Sequence, residues 1–239
     1  ERIHPDVMFS FYFRSMLPMS VLGLAPRGAF NMHGSLLPRY RGRAPTNWAV
    51  LHGESETGAT LHEMVAQADA GRIVDQQSVP ILPDDTARQV FDKVTVAAEQ
   101  VLWRSLPSLI AGDVRWRPND VAAGSYFGGR RPEDGRIDWS APASAIYNLI
   151  RAVAPPYPGA FTDIGGRRFV VAKARALVAD DAARASELGP GLHVVGDAIV
   201  GVGGDGGRIA IHELLADGRS VLPDTLAAFL AGHDNRRMP

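Results

Sequence analysis

The chain has 239 residues, a net charge of −1 and no cysteine, with 46% hydrophobic and 21% charged residues. This length fits one large domain or a domain and a half, and the composition is ordinary for a soluble globular protein. The lack of cysteine excludes disulfides, thiolate catalysis and Cys-based zinc sites, and the small net charge gives no general attraction to nucleic acid. No apolar run approaches the roughly 20 residues of a membrane span, and the first residues lack a signal-peptide pattern, so we expect a cytoplasmic protein.

The N-terminal part of the chain mixes apolar runs with helical patterns. The run Val7–Phe13 predicts a buried strand close to the start of the chain. A doubly wound domain normally has βα units before such a strand, so we expect the chain to begin in the middle of a domain. The next predicted elements are a short helix at Pro18–Leu24, a strand at Ala29–Met32, a helix from Pro45 through Asn47–Leu51, a strand at Gly58–Val65, a tight loop at Ala68–Gly71 and a strand at Ile73–Ile81.

The clearest helical signal covers Pro83–Gly112, where apolar residues recur with a spacing of about 3.6 residues. Asp84 or Asp85 is its expected N-terminal cap. Pro107 is expected to kink the helix or to end its regular part, because proline lacks the backbone N–H that an interior position needs.

The character of the chain changes after Asp113. Aromatic residues among Gly, Arg and Pro predict a connector over residues 118–137. The remaining predictions are a helix at Ala143–Val153, a rigid A-P-P-Y-P-G segment at Ala154–Gly159, strands at Ala160–Ile164, Arg168–Ala174, Gly191–Val195, Ala198–Val202 and Arg208–Leu214, a loop at Ala179–Gly189 and a frayed end at His233–Pro239. We therefore predict an α/β domain over residues 1–117 and a small β-barrel-like domain with a leading helix over residues 138–239.

Candidate chemistry is concentrated in the stretch Asn31–Pro45, which follows a predicted strand. Asn31 and His33 are two residues apart, so on a strand their side chains point to the same side. An amide donor and an imidazole in one small volume suit a tetrahedral intermediate with a developing oxyanion. Asp69, in the tight loop after a later strand, is the candidate partner, since a nearby carboxylate favours the imidazolium form of His33. The alternative is that all three are ordinary turn and packing residues.

Other chemistries fit the sequence less well. His33, His52 and His62 lack the helical spacing of zinc motifs, so we expect no metal, and His62 is interpreted as a packing or supporting histidine. Ser35 lies near His33, but no G-x-S-x-G motif surrounds it. A further feature is a cationic cluster with no balancing acid nearby in the sequence, which suits either a phosphate or a solvated loop. Its members are Arg39, Arg41 and Arg43.

These residues also form a recognisable pattern. Two stretches carry it: N-x-H-x-S-L-L-P followed by Y-R-G and A-P, from Asn31 to Pro45, and G-x-T-x-H-x-M-x(4)-D-x-G-x-I, from Gly58 to Ile73. Both resemble the signatures of the 10-formyltetrahydrofolate-dependent formyltransferases. The resemblance implies a Rossmann-like, mostly parallel sheet, with its N-terminal part absent from this chain, followed by a small OB-like β-barrel. It also implies an N-formyltransferase that uses 10-formyltetrahydrofolate as co-substrate and needs no metal.

The same resemblance implies roles for individual residues. Asn31 would stabilise the oxyanion, His33 would be the acid–base group and Asp69 would raise the pKa of His33. The positions that match folate-binding segments are Ser15, Met16, Leu17, Arg43, Val65, Ala66, Gln67, Ala68 and Asp69.

Within the family, several stretches are most similar to the formyltransferase domain of the bifunctional polymyxin-resistance enzymes. They are Phe9–Tyr12, His33–Ser35, Arg41–Pro45, Tyr126–Gly128, Arg130–Pro132 with Asp134, Arg151–Ala154 and Pro158–Phe161. This similarity implies formylation of the 4-amine of UDP-4-amino-4-deoxy-L-arabinose in lipid A modification. It leaves open a homo-oligomer or a link to a decarboxylase domain.

Three alternatives remain. A methionyl-tRNA formyltransferase would share the catalytic residues, but its C-terminal domain is usually basic. Here residues 177–234 contain three arginines against nine acidic side chains, which disfavours tRNA. Another amino-sugar nucleotide is a closer alternative acceptor. The non-enzyme alternative is a truncated, inactive scaffold domain.

Overall fold

The computed structural model describes residues 3–13, 15–177 and 188–233. Within these ranges the chain forms two compact units. The first takes its residues from Glu1–Ala49, Glu54–Pro83 and Gln89–Arg130, and the second from Val50–Gly53, Asp84–Arg88 and Arg131–Pro239. No helix among the described residues is long and apolar enough to cross a membrane.

The first unit contains a four-stranded sheet in the order β1-β2-β4-β5. Its strands are β1 (Met8–Phe11), β2 (Ala29–His33), β4 (Glu56–Glu63) and β5 (Ile73–Pro80). The β1–β2 pair is parallel, whereas β2–β4 and β4–β5 are antiparallel. The described sheet is thus more antiparallel than the predicted "mostly parallel" sheet. For the β4–β5 pair the reason is local. The connection between these two strands is too short for a parallel crossover, which needs a dozen or more residues.

Three further pieces of secondary structure belong to the N-terminal half: α1 (Met19–Leu22), β3 (Arg41–Gly42) and α2 (Pro45–Leu51). Strand β3 pairs in parallel with β6 (Tyr126–Phe127). This two-stranded ladder was not predicted, since two residues are too few to show an alternating pattern. It joins the stretch that carries the candidate chemistry to a segment predicted as connector.

The long helix α3 (Ala87–Ala111) confirms the 3.6-residue pattern. Pro107 lies inside the helix, which continues to Ala111, so of the two effects predicted for this proline the end of the helix is wrong and the kink stays a prediction. Asp84 lies before the helix, and its carboxylate accepts a hydrogen bond from the Tyr147 hydroxyl at 2.8 Å. A local capping rule takes no account of such a distant partner, and the cap of α3 by Asp84 or Asp85 stays a prediction.

The second unit is built on a six-stranded antiparallel sheet that curls into a half-barrel, in the order β7-β8-β11-β10-β9 with β12 on β11. The strands are β7 (Ala160–Ile164), β8 (Arg167–Ala176), β9 (Gly191–Val195), β10 (Ala198–Val202), β11 (Arg208–Ala216) and β12 (Arg219–Ser220). The amphipathic helix α4 (Ala143–Val153) packs its buried face on β8, β7 and β11.

The predicted fold class, an α/β sheet followed by a small barrel-like domain, is confirmed. Helix α5 (Pro223–Ala231) was missed, although a proline at its first position, Asp224 in its first turn and Gly232 after its end are helix signals. Most of the predicted Ala179–Gly189 loop and nearly all of the frayed end at His233–Pro239 lie outside the described residues.

Candidate active site

The pairing of β2 with β4 brings three of the polar candidates together. Asn31 lies opposite His62, and His33 lies opposite Thr60. Residues directly opposite each other in an antiparallel pair have side chains on the same face of the sheet. Because Asn31 and His33 also share a face, one side of this strand pair carries an amide, two imidazoles and a hydroxyl.

Asp69 reaches this cluster from the loop that follows β4. Its Oδ1 atom lies 3.6 Å from His33 Nδ1 and 3.4 Å from His62 Nε2. Its Oδ2 atom accepts a hydrogen bond from the Gly42 backbone N–H at 2.8 Å. The structure therefore brings Asn31, His33 and Asp69 together around a fourth residue, His62.

His33 has a defined proton arrangement. Its Nε2–H donates to the Tyr40 carbonyl oxygen at 2.8 Å, so Nδ1, which faces Asp69, carries the lone pair of the neutral ring. Burial lowers the pKa of His33 more than the Asp69 carboxylate and the Tyr40 carbonyl raise it, and the net direction is below the ordinary value. The predicted effect of Asp69, which raises the pKa of His33, is present, but desolvation by burial outweighs it.

The opposite balance holds for the Asp69 carboxylate. Burial alone would raise its pKa, but the hydrogen bond with His62, the charge of His33 and the Gly42 N–H together lower it to about 2. Asp69 is therefore a carboxylate at neutral pH. It can stabilise an imidazolium that forms on His33 during a reaction.

Of the two roles predicted for His62, packing or support, its contacts favour support. Only 2% of it is exposed, and its Nδ1–H donates to the Glu63 carbonyl oxygen at 2.8 Å. In the neutral ring, Nε2 then accepts a hydrogen bond from Asn31 Nδ2 at 3.3 Å. A protonated ring would instead donate from Nε2 toward Asp69. The sequence did contain a signal: Thr60 and His62 alternate on one strand in the same way as Asn31 and His33.

The second N–H of the Asn31 amide has no partner among the described residues. Asn31 as a whole is half-buried. A fixed amide with one free donor is the arrangement that stabilises a developing oxyanion.

The loop after His33 is held by a second set of hydrogen bonds. Thr60 Oγ1 donates to the Ser35 carbonyl at 2.6 Å and accepts from the Leu37 N–H at 3.1 Å. Gln76 Nε2 donates to the Leu37 carbonyl at 2.8 Å. Ser35 Oγ itself donates to the Arg39 carbonyl, and the residue is fully buried. This supports the interpretation that Ser35 shapes the loop and is a poor nucleophile.

A downstream residue that sequence reasoning missed also reaches the site. The Asn119 amide donates to the backbone carbonyls of Asp69 and Gly71, at 3.0 and 2.9 Å. No local pattern marks it, because its partners lie about fifty residues earlier in the chain.

The arginine cluster separates into three different environments. Arg39 forms an ion pair with Glu54, so the prediction of a cluster without a balancing acid is wrong for this residue. Arg41 is buried, whereas Arg39 and Arg43 both present their side chains to solvent. Of the two exposed arginines, Arg39 is already paired with Glu54, so Arg43 is the one that better suits contact with a ligand.

The other predicted folate-binding residues lie on loops. Ser15, Met16 and Leu17 lie between β1 and α1, and no hydrogen bond among the described residues joins them to Asn31, His33 or Asp69. Val65, Ala66, Gln67 and Ala68 form the partly exposed segment that leads directly into Asp69. Among the described residues, no group of three or more His, Asp or Glu side chains is placed to hold a metal ion.

Comparison with known families agrees with this geometry. A family model for formyl transferase matches residues 1–106, and the model for the formyl transferase C-terminal domain matches residues 130–233. Together the two matches cover most of the chain. The chain belongs to the formyl transferase family.

Several solved structures share the fold at low sequence identity. WlaRD, a sugar 3N-formyl transferase solved with dTDP and 5-N-formyl-THF, has a TM-score of 0.68 and 22% identity over 89% of this chain and 73% of its own. An N-formyltransferase from Helicobacter canadensis, solved with folinic acid and dTDP-3-aminofucose, has a TM-score of 0.68 and 23% identity over 85% of this chain and 72% of its own. HypX from Aquifex aeolicus, solved with tetrahydrofolic acid, has a TM-score of 0.68 and 20% identity over 95% of this chain but only 39% of its own.

Proposed function

We propose that the chain transfers a formyl group from 10-formyltetrahydrofolate to the primary amine of an amino-sugar nucleotide. The observation that carries the proposal is the cluster in which Asn31 and His33 share one face of β2 and His33 Nδ1 lies 3.6 Å from the Asp69 carboxylate. An amide donor, a neutral imidazole and an ionised carboxylate are the groups that formyl transfer to an amine requires.

Each group has a distinct role in the proposed reaction. The amine attacks the formyl carbon, a C–N bond forms and the formyl oxygen becomes an oxyanion beside the free N–H of Asn31. The amine's proton goes to His33 Nδ1, since Nε2–H is already bonded to the Tyr40 carbonyl. Asp69 stabilises the resulting imidazolium. The C–N10 bond then breaks, the carbonyl re-forms, and N10 of the folate leaves with a proton from His33.

The folate is proposed to lie along the segment that leads into Asp69. Val65, Ala66, Gln67 and Ala68 are partly exposed there, and the family resemblance adds Arg43 and Ser15–Leu17. The folate ligands of WlaRD and of the Helicobacter canadensis enzyme support a folate donor.

For the acceptor we propose the 4-amine of UDP-4-amino-4-deoxy-L-arabinose. The support is the similarity of several short stretches, Tyr126–Gly128 among them, to the formyltransferase domain of the polymyxin-resistance enzyme ArnA. The reaction would then serve lipid A modification in the cytoplasm, in a homo-oligomer or linked to a decarboxylase domain. That two of the solved relatives are sugar N-formyltransferases supports an amino-sugar acceptor in general.

A single experiment separates the acceptors. The purified chain is incubated with 10-formyltetrahydrofolate and either UDP-4-amino-4-deoxy-L-arabinose or methionyl-tRNA, and products are identified by mass spectrometry. We expect formylation of the sugar nucleotide. Product from the tRNA alone would overturn the proposed acceptor. If a third reaction with a different amino-sugar nucleotide gave the only product, the specific acceptor would be rejected and the general proposal of an amino-sugar acceptor would stand.

The catalytic assignment needs a matched control. His33→Ala should lower turnover by about 10²-fold or more. His193→Ala is the control, because His193 also bonds a backbone carbonyl, that of Gly189, but lies on β9 in the second unit. Near-normal turnover of the His33 variant would reject its role. Lack of formylation by the unmodified chain, with weak folate binding, would favour the inactive scaffold.

A further inference from the structure

Asp69 is held in the left-handed region of backbone conformation. Its φ angle is 49°, which costs energy for a residue with a Cβ, although aspartate tolerates this region better than most residues. Such a conformation persists only where its surroundings fix it. The hydrogen bond from the Gly42 N–H to Oδ2 fixes the side chain of Asp69, but it does not hold the loop backbone in the left-handed conformation.

The Asn119 amide supplies what fixes that backbone. Its Nδ2 atom donates one hydrogen to the Asp69 carbonyl at 3.0 Å and the other to the Gly71 carbonyl at 2.9 Å. Both donors of one amide therefore bracket the loop. The Oδ1 atom of Asn119 is buried without a hydrogen-bond partner in the described part of the chain. The two bonds donated by Nδ2 are therefore the hydrogen bonds that this side chain makes there.

Asn119 is itself anchored close to the loop. Two residues earlier, Arg117 forms a two-way backbone bridge with Ile73: each N–H donates to the other's carbonyl, at 2.8 and 2.9 Å. Ile73 starts β5, directly after the loop. Gly71 is equally constrained, because a Cβ there would collide with the Glu63 carbonyl oxygen. The amide thus binds a loop whose far end is already fixed to the same segment.

We propose that Asn119 is the positioning residue that holds the Asp69 carboxylate against His33 and His62. The expected loss of kcat rests on the proposed function. The positioning of Asp69 by Asn119 does not, because it depends only on contacts within this chain. Without the two donated bonds the loop relaxes toward a right-handed conformation. The carboxylate then moves away from both imidazoles.

The test compares two substitutions of Asn119. Asn119→Asp keeps the shape of the side chain but removes both donors, and Asn119→Ala removes the side chain. Both variants should lower kcat by roughly 10- to 100-fold, as a displaced catalytic group does, with KM for the amine acceptor within about twofold of the unmodified chain. Because Asn119→Asp also places a carboxylate beside two carbonyl oxygens, its lower kcat supports a positioning role only together with a shift of the histidine ring resonances.

A second readout does not depend on activity. The ¹⁵N resonances of the His33 and His62 rings report their contact with Asp69, and we expect both to shift in each Asn119 variant. Asp120→Ala is the matched control, because Asp120 is the next residue and its carboxylate only caps the following turn at the Ala122 N–H. It should leave both kcat and the ring resonances unchanged.

These readouts separate the two proposals. If the unmodified chain has no formyltransferase activity but the ring resonances shift in the Asn119 variants alone, the proposed function fails and the positioning role stands. If Asn119→Asp keeps normal kcat and unshifted resonances, or if Asp120→Ala shifts them equally, the positioning role is overturned. Should Asn119→Ala not fold, Asn119→Ser, which keeps one donor, must give an intermediate shift.

Discussion

Two aspartates, one in each unit, have lowered pKa values for different reasons. Asp69 in the first unit is 13% exposed and is surrounded by His33, His62 and the Gly42 N–H. Asp163 on β7 in the second unit is 29% exposed and bonds Arg168 and Arg136, at 3.0 and 2.8 Å. For Asp163 the hydrogen bond from Arg168 is the largest cause of the lowered pKa, whereas for Asp69 the histidines must overcome burial.

The comparison shows that a lowered pKa does not by itself identify a catalytic carboxylate. The partners decide what the carboxylate can do. Arginine keeps its proton at any ordinary pH, so the Asp163 pairs can only hold the surface of the half-barrel together. Histidine exchanges a proton near neutral pH, so Asp69 can respond to a charge that appears and disappears during turnover.

The largest difference between the two aspartates is expected when each is neutralised in turn. Asp69→Asn should lower kcat by about 10²-fold or more, because it removes the charge that stabilises the His33 imidazolium. Asp163→Asn should leave kcat unchanged. The measurement is steady-state formylation kinetics with each variant's folding confirmed by circular dichroism. Equal losses in both variants would show that the two carboxylates act through general stability.

A smaller effect on kcat is expected from two substitutions of His62, each of which imitates one of its ring nitrogens. His62→Gln places a polar atom near the position of Nε2, which contacts Asn31 and Asp69. His62→Asn instead imitates Nδ1, which bonds only the Glu63 carbonyl. We expect kcat to fall by roughly 10-fold more in the Asn variant than in the Gln variant, since an unheld Asn31 amide stabilises the oxyanion less well.

The reverse order of activity in the two His62 variants would contradict this prediction. If His62→Asn is the more active variant, the bond to Glu63 matters and the contact with Asn31 does not. Comparing the thermal unfolding of the two variants shows whether a difference in folding accounts for a difference in kcat.

The fold was largely predictable because its signals are local. The 3.6-residue pattern of α3 and α4 and the short strands of the half-barrel can be read from neighbouring residues. Features that depend on distant partners were not predictable in the same way. Asp84 bonds Tyr147, and β3 pairs with residues more than eighty positions later. Helix α5 had local signals and was missed all the same.

The site was predictable as residues but not as a network. The spacing of Asn31 and His33 on one strand indicated a shared face, and the family resemblance added Asp69. The register of β2 against β4, which places His62 opposite Asn31, follows from sheet pairing and has no local sequence signal. The net direction of the His33 pKa also depends on burial, which only the folded chain defines.

Acid should reveal the Asp69 network as a loss of stability. The pKa of Asp69 is about 2 in the folded chain against an ordinary 3.8, so its stabilisation is complete above about pH 4 and is lost as the pH falls through about 2. The difference corresponds to about 2 kcal/mol of unfolding free energy. Urea unfolding at neutral pH and at roughly pH 3 should show about half of this difference, ~1 kcal/mol, because pH 3 lies between the two pKa values, and Asp69→Asn should lack it.

His33 adds an acid effect at higher pH. Because its folded pKa lies below the ordinary 6.5, the unfolded chain binds the proton more readily, and stability falls as the pH drops below that value. The Asp69 carboxylate opposes this by raising the pKa of His33. Asp69→Asn should therefore steepen the loss between roughly pH 6.5 and 5. An unchanged slope there would show that the two groups are not electrostatically coupled.

The smallest effect is expected at Asp163, where exposure weakens both ion pairs. Asp163→Asn should lower the unfolding free energy by less than about 1 kcal/mol, because solvent and salt screen charges on an exposed surface. A double-mutant cycle with Arg136→Gln, measured by urea unfolding at low and high salt, isolates one pair without removing Arg168, whose guanidinium also stacks 3.7 Å from the Phe161 ring. The coupling should shrink as salt is added. A coupling of several kcal/mol that salt does not alter would make Asp163 as strongly held as Asp69, and the contrast between the two carboxylates would then depend on the proton exchange of histidine alone.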